Sequence, residues 1–459
     1  MVLQILWYNA VRKLLFYTTN STNFMQHSAV RQPVYILLGT ILSLSFISLI
    51  PTKKIFPSFI KEVNIFSEFK KDSSSKIISE KANEITTDVS TEKNKKYNEL
   101  EIQNFGLQNN NYALSKEKIK SISKSKPKIR IAYLGDSFIE SDLITNDLRQ
   151  LLQQKYGGDG IGFININTVS PGMQKSIEQS FSSNWQNYNV HDNNSNKTLG
   201  LAGYAFEAND NSAVNFKTKK PYGKFNEVYL WYGNNATSLP IEILADSLTT
   251  NILLPASEKI LNKGKLNIAA ANTLQAKFNT SNTLLYGFSF EDSVGVYVDN
   301  YSLRGSNGTQ LLKMDSSYMQ ALAAIQQYDM VILHYGVNVI GNNNTNFDWY
   351  KIGLNKTIVW TKNNFKNAAI VLVSTSDKCT KTNGVYQTDK GVPVLVDLQK
   401  ELAQKNNIAF WNLYQNMGGN NSMIDWVNSP EPLANKDYTH ITFKGAAKIA
   451  QLLYNQLSN

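Results

Sequence analysis

One stretch of twelve residues, 129–140, limits the possible folds of this chain more than any other. It begins I-R-I-A-Y-L, a largely apolar run rich in β-branched residues, as expected of a buried strand in a parallel sheet. Gly135 ends the run, Asp136 and Ser137 follow, and residues 143–152 have the apolar period of a helix. A serine between such a strand and helix lies at the carboxyl edge of the sheet, where open α/β folds bind ligands, and a helix N-terminus offers N–H groups to an oxyanion. This context predicts a nucleophile, although G-D-S alone also describes an ordinary helix cap.

The remainder of the chain shows two different patterns. Residues 163–290 contain short alternating strands between Asn-, Gly- and Ser-rich turns, which predicts an inserted β-sandwich. Beyond them, strands and helices alternate, which predicts a doubly wound parallel sheet. The predicted strands cover residues 293–301, 329–333, 369–374 and 408–413, and the predicted helices cover residues 310–327, 347–364, 392–404 and 443–457. The sequence therefore predicts an α/β domain made of residues 128–162 and 291–459, interrupted by the β insert.

The positive charge of the chain lies outside its predicted folded part. The formal net charge is +10, of which residues 1–50 carry +3 and residues 51–130 carry +7, so residues 131–459 are neutral. An enzyme that acts on nucleic acid should have a basic binding face. The neutral charge of residues 131–459 predicts no such face. The lone Cys379 excludes a disulfide within the chain.

The N-terminal part predicts a membrane anchor. Residues 34–50 are uncharged and end at Pro51, a length at the short end for a membrane helix. The positively charged residues before this segment favour a cytoplasmic location for residues 1–33. No A-x-A-like cleavage site follows, which favours a retained signal-anchor, and Met25 is an alternative start. Residues 51–127 are rich in Lys, Ser, Asn and Glu and are predicted to be a flexible tether that holds the catalytic part outside the cytoplasm.

A hydroxyl nucleophile needs a base, and the chain has four histidines. His27 precedes the predicted membrane segment, His191 lies in the insert, and His334 ends a strand, where a packed histidine is expected. His440 completes D-Y-T-H just before the last predicted helix. A carboxylate three residues earlier, that of Asp437, can bond Nδ1 and orient the ring. These positions favour His440 as the base.

Two glycine- and asparagine-containing turns follow predicted strands and offer donors for an oxyanion. Asn338 ends the G-V-N turn after one strand, and Gly308 ends R-G-S-N-G after another, with Gly305 nearby. Each turn, taken alone, is also an ordinary loop.

These four motifs in this order resemble the SGNH, or GDSL-like, hydrolases, over residues 128–155 and 293–459. The resemblance implies a serine esterase without a metal or organic cofactor. The catalytic residues that it implies are Ser137, Asp437 and His440, and the oxyanion donors are the N–H groups of Ser137, Gly308 and Asn338. It names no substrate-binding residue.

A narrower resemblance is to the peptidoglycan O-acetylesterases. It rests on the β insert, the glycine cluster in residues 156–162, and W-N-L-Y-Q-N-M-G-G-N-N-S-M at residues 411–423. It implies a membrane-anchored bacterial cell-envelope enzyme that acts on an O-acetylated glycan and has a carbohydrate-binding insert. A polysaccharide O-acetyltransferase and a non-catalytic glycan-binding protein stay open as alternatives. The insert aromatics either stack on sugars or form the sandwich core; they are Trp185, Tyr229, Trp231 and Tyr232.

Overall fold

The computed structural model describes residues 98–106, 111–121, 128–192 and 196–458. The strands of this part are β1 (Gln103–Asn104), β2 (Lys128–Gly135), β3 (Gly162–Asn165), β4 (Ile177–Phe181), β5 (Gln186–Asn189), β6 (Tyr204–Glu207), β7 (Ser212–Thr218), β8 (Glu227–Tyr232), β9 (Leu239–Ala245), β10 (Leu248–Leu254), β11 (Asn262–Leu266), β12 (Thr273–Phe278), β13 (Leu285–Glu291), β14 (Gly295–Ser302), β15 (Met330–His334), β16 (Ala369–Val373), β17 (Cys379–Thr382), β18 (Val385–Thr388) and β19 (Ala409–Trp411). The α-helices are α1 (Asn111–Lys120), α2 (Thr145–Tyr156), α3 (Ser316–Gln326), α4 (Asp348–Asn364), α5 (Gly391–Lys405), α6 (Leu413–Met417), α7 (Ser422–Asn428) and α8 (Phe443–Ser458).

The central sheet is the predicted parallel one. Strands β14, β2, β15, β16 and β19 pair in that order, all parallel, and β1 adds an antiparallel edge next to β19. Gly135 at the end of β2 is in register with Ser302 of β14 and His334 of β15. The loops that follow these three strands therefore leave the sheet at one edge, where parallel α/β sheets bind ligands.

Both faces of the central sheet are buried, which explains why β2 is apolar at almost every position. Ala132 and Leu134 face one hydrophobic cluster, which contains residues of α3, α4 and α5. Ile131 and Tyr133 face the other, which contains residues of α2 and α8. Helices thus cover both faces, as a doubly wound sheet requires.

Residues 162–291 form two antiparallel sheets, with strand orders β10-β9-β12-β7-β4 and β11-β8-β13-β6-β5, and β3 pairs with β13. One hydrophobic cluster contains residues of both sheets, including Phe216 and Phe288, whose ring centroids are 5.1 Å apart. The opposite face of the second sheet is also buried, since Trp231 and Tyr286 pack in the same cluster as Leu134 of β2. The insert is therefore packed directly against the α/β part. Its role as a carbohydrate-binding domain stays a prediction.

Three of the four insert aromatics are core residues. Trp185, Trp231 and Tyr232 are 6%, 1% and 3% exposed, so they are not platforms for sugars. Tyr229 is half-buried, and the Lys263 ammonium lies 4.5 Å from its ring centroid. Alternation on a strand does not show which face is covered, and here the α/β part covers the face that a lone sandwich would expose.

The predicted N-terminal boundary of the folded part, near Lys128, is wrong. Strand β1 pairs with β19, Ile119 of α1 is fully buried, and the Ser115 hydroxyl donates to the Asp329 carbonyl at 2.6 Å. The polar composition of this segment hid the few apolar residues that dock it. The predicted membrane segment, residues 34–50, lies outside the described residues, and no described helix is long and apolar enough to cross a bilayer.

Candidate active site

Ser137 lies on the turn that follows β2, but not next to a helix N-terminus as predicted. A short 3₁₀ turn, Glu140–Asp142, comes first, and α2 begins only at Thr145. The intervening residues cannot continue a helix, because Ser141, Asp142 and Ile144 have positive φ angles of 58°, 62° and 62°. The α2 dipole is therefore not the source of oxyanion donors here.

A buried ion pair holds this strained segment. The Arg149 guanidinium of α2 donates to both Asp142 carboxylate oxygens, at 2.8 and 3.0 Å, and to the Val298 carbonyl of β14. Burial alone would raise the pKa of Asp142, but the Arg149 charge and hydrogen bonds lower it below its ordinary value. Strained backbone persists only where surrounding contacts enforce it, and these contacts do so beside the nucleophile.

Ser137, His440 and Asp437 form one hydrogen-bonded chain. Ser137 Oγ is 3.1 Å from His440 Nε2, and His440 Nδ1 is 2.7 Å from Asp437 Oδ2. Asp437 Oδ1 also accepts hydrogen bonds from the backbone N–H groups of Thr439 and His440. Partial burial alone would raise the pKa of Asp437, but these hydrogen bonds lower it, so the carboxylate stays charged. The geometry allows His440 to take a proton from Ser137 while Asp437 holds the ring.

The hairpin β17–β18, which the sequence did not predict, supports the loop that carries His440. Tyr386 of β18 stacks on Tyr438, with ring centroids 3.8 Å apart and an interplanar angle of 16°. The Cys379 N–H donates to the Tyr438 carbonyl at 3.0 Å. Tyr438 has a positive φ of 53°, so this stack and hydrogen bond hold an unfavourable backbone conformation next to the base.

The structure brings Asn338 to the nucleophile turn, where its amide group has partners already. Asn338 Nδ2 donates to Asp136 Oδ2 at 3.0 Å and to the Ser306 carbonyl at 2.9 Å. The Gly308 N–H donates to Ser306 Oγ at 3.0 Å, and Gly308 has a φ of +90°. Within the described part of the chain, the Ser137 N–H donates to no acceptor. An oxyanion could therefore use the Ser137 N–H at once, and the other two predicted donors only by displacing Ser306 or Asp136.

Ser306 and Asp136 are the site residues that sequence reasoning missed. Ser306 is 1% exposed and accepts hydrogen bonds from two of the three predicted oxyanion donors, Gly308 and Asn338, yet in R-G-S-N-G it looks like any turn serine. Asp136 was part of G-D-S, and its position directly before the nucleophile was the only available signal. Gly305, the alternative donor, is exposed and has a φ of 73°.

Burial raises the pKa of Asp136 to about 7. The carboxylate is 1% exposed and accepts hydrogen bonds from the Phe138 N–H and from Asn338, and these bonds and His440 only partly offset the burial. It thus links the nucleophile turn to a predicted oxyanion donor and changes charge near neutral pH.

We expect the pH dependence of stability to change in Asp136→Asn. Between the ordinary pKa of 3.8 and about 7, the folded protein keeps a proton that the unfolded chain releases. This contribution to stability is therefore fully present below about pH 4 and is lost as the pH rises to 7, a loss of about 4 kcal/mol. Because asparagine does not titrate, chemical unfolding of the variant should show a smaller fall in unfolding free energy between pH 4 and 7. An equal fall in unfolding free energy between pH 4 and 7 in the two proteins, with or without a constant offset between their curves, would contradict the raised pKa.

The two other described histidines, His334 and His191, do not contribute to the site. His334 is buried, with Nδ1 3.1 Å from the Tyr133 hydroxyl, and burial lowers its pKa to about 3, so it is the expected packed histidine. His191 is exposed in the insert, and His27 lies outside the described residues. Among the described residues, no group of three or more His, Cys, Asp or Glu side chains is arranged to hold a metal ion.

Comparison with solved structures supports the fold. A structure of a peptidoglycan O-acetylesterase matches 78% of this chain and 97% of that chain, with a TM-score of 0.65 and 21% sequence identity. An acetyl xylan esterase (17% identity, TM-score 0.28) matches 36% of this chain and 81% of its own, and a GDSL-like lipase from Bacteroides thetaiotaomicron (17%, 0.26) matches 35% and 75%. No protein-family model and no curated protein sequence matches the chain. The predicted resemblance is thus confirmed at the level of the fold.

Proposed function

The chain has the fold of the SGNH hydrolases, and on this premise we propose that it is a serine esterase that removes O-acetyl groups from a cell-envelope glycan, namely peptidoglycan. The observation that carries the proposal is the hydrogen-bonded chain from Asp437 through His440 to Ser137 at the carboxyl edge of β2. The 0.65 TM-score to a peptidoglycan O-acetylesterase supports the choice of glycan.

In the proposed reaction, Ser137 Oγ attacks the acetyl carbonyl while His440 Nε2 takes the hydroxyl proton. The developing oxyanion accepts a hydrogen bond from the Ser137 N–H. The Gly308 N–H and the Asn338 amide also donate to it once they turn away from their present acceptors. The C–O bond to the sugar breaks, and the sugar oxygen leaves with the proton from His440. Water, deprotonated by His440, then attacks the acyl-serine, and acetate leaves as Ser137 recovers its proton.

The exposure of the base favours hydrolysis over transfer to a sugar. The His440 and Asp437 side chains are 45% and 48% exposed, so water reaches the acyl-serine without a lid having to open. An O-acetyltransferase needs to keep water from this intermediate until the acceptor hydroxyl binds. We therefore place the acetyltransferase second.

The proposed location follows from residues that the structure does not describe. Residues 34–50 are proposed to anchor the chain in a bacterial membrane, with the catalytic part outside the cytoplasm, in the periplasm. A reporter fused after residue 459 would be active outside the cytoplasm if this orientation is correct, and active only inside it if the orientation is reversed.

The direct test of function is acetate release by the full chain from O-acetylated peptidoglycan, from acetylated xylan and from 4-nitrophenyl acetate. We expect acetate from all three, with the highest kcat/KM on peptidoglycan. A higher kcat/KM on acetylated xylan would show that peptidoglycan is not the preferred substrate. Acetyl transfer to an added glycan without release of free acetate would favour the acetyltransferase. A folded protein without turnover on any ester would make it a non-catalytic binding protein.

A further inference from the structure

A cavity of about 350 Å³ opens directly beside Ser137. Its walls come from distant parts of the chain: the 3₁₀ turn after the nucleophile, the loop after β14, the loop between β3 and β4, and the start of α8. The sequence assigned no substrate-binding role to any of these segments.

One wall of the cavity is polar and already neutral. The Arg304 guanidinium donates from Nε to Glu140 Oε2 at 2.8 Å and from Nη2 to the Ser170 hydroxyl at 3.3 Å. The Arg304 side chain is 56% exposed and that of Glu140 13%. Because the carboxylate compensates the guanidinium, the wall suits a neutral ligand with several polar substituents rather than an anion.

The cavity lining also contains the apolar side chains of Leu143, Met173 and Phe443. Met173 and Phe443 are 56% and 46% exposed. Large apolar side chains that stay exposed at the rim of a cavity indicate a ligand surface better than scattered ones do.

The loop that supplies Met173 and Ser170 belongs to the β insert and is held on the catalytic part. The Lys175 N–H donates to the Ser141 carbonyl at 3.1 Å, and its ammonium pairs with Asp147 of α2 at 2.6 Å. The insert therefore contributes part of the cavity lining next to the nucleophile, although Trp185, Trp231 and Tyr232 are buried.

We propose that this cavity is the subsite for the acetylated sugar ring itself. A pyranose of such a glycan has an apolar C–H face and a rim of polar substituents, which match the apolar Met173 and Phe443 side chains and the Glu140–Arg304 pair respectively. The cavity adjoins Ser137, so a ring bound there presents its acetyl ester to the nucleophile. The inference rests on the proposed function and specifies which residues read the sugar.

The test uses Met173→Ala and Arg304→Gln in the full chain, with an O-acetylated peptidoglycan disaccharide and 4-nitrophenyl acetate as substrates. Losing a charged hydrogen-bond donor or an apolar contact should raise KM for the disaccharide about tenfold, with a much smaller change in kcat. The ratio of kcat/KM for the disaccharide to that for the aryl ester should fall by a similar factor, because the aryl ester has no sugar ring for the subsite to recognise.

Matched controls exist on the sheet of the insert with the strand order β10-β9-β12-β7-β4. Leu253 is an exposed apolar residue of β10, 65% exposed, and Lys217 forms an exposed ion pair with Glu178. Leu253→Ala and Lys217→Gln should leave both substrates unaffected. Equal losses on both substrates in Met173→Ala and Arg304→Gln, or no loss on either, would overturn the subsite.

A binding measurement separates this inference from the proposed function. Calorimetry should show that the Ser137→Ala protein binds the acetylated disaccharide. In the double variant Ser137→Ala/Met173→Ala, the dissociation constant should be about tenfold higher. Binding that weakens in this way without any acetate release by the wild type would retain the subsite and reject the esterase. If Met173→Ala leaves binding unchanged and the wild type releases acetate, the subsite is rejected and the esterase is retained.

Discussion

Replacing Ser137 with alanine is expected to lower kcat for acetate release by about 10⁴–10⁶-fold, because a triad that loses its nucleophile retains only the oxyanion donors and binding. The fold should survive, since the side chain is only half-buried and, among the described residues, Ser137 Oγ forms a hydrogen bond with His440 Nε2 alone. The measurement is acetate release from O-acetylated peptidoglycan, with the thermal midpoint recorded beside it.

A suitable control is Ser180→Ala, an exposed serine on β4 of the insert, which should retain full activity. Acetate release at the wild-type rate by a folded Ser137→Ala protein would reject both the proposed nucleophile and the mechanism. A rate reduced only a few-fold would point to another hydroxyl, and Ser141, which lines the same cavity, would be the next to replace.

Replacing Asn338 with alanine is expected to lower kcat by about 10²–10³-fold with little change in KM, because an oxyanion donor acts mainly in the transition state. The structure adds a second expected effect. Asn338 donates to the buried Asp136 carboxylate, so its loss leaves that group with one donor fewer and should lower stability by about 1–3 kcal/mol.

The two effects of Asn338→Ala can be measured separately. Activity is compared at a temperature where urea titration shows both proteins fully folded, so that the stability loss does not enter kcat. If the change is confined to KM, Asn338 binds substrate and does not stabilise the oxyanion. If stability falls and kcat does not, Asn338 only holds Asp136 and the nucleophile turn.

Local patterns predicted the catalytic part well. The apolar run before G-D-S has the composition of a strand buried on both faces, and β2 is such a strand. In D-Y-T-H, three residues of separation are enough to place the Asp437 carboxylate on His440 Nδ1. The four helices predicted in the second half match the structure to within a few residues, except that residues 310–327 divide into a 3₁₀ turn, Thr309–Lys313, and α3. The short helices α6 and α7 were not predicted.

The surroundings of the triad depend on contacts that have no local signature. The positive φ angles of Ser141, Asp142 and Ile144 arise beside the buried Asp142–Arg149 pair, and helical periodicity in that region placed the helix start two residues too early. Ser306 was overlooked because only the tertiary structure shows its carbonyl accepting from Asn338 and its hydroxyl accepting from Gly308.

The sequence by itself determined the strand, the nucleophile turn, the Asp–His pair and their order, because each depends on neighbours a few residues away. Only the tertiary structure decided what surrounds them. Burial of Trp231 depends on a sheet face meeting β2, and the cavity beside Ser137 unites Met173 with Phe443, which are 270 positions apart in the chain. Such contacts are set by how whole elements pack, and periodicity reports only which face of one element is apolar.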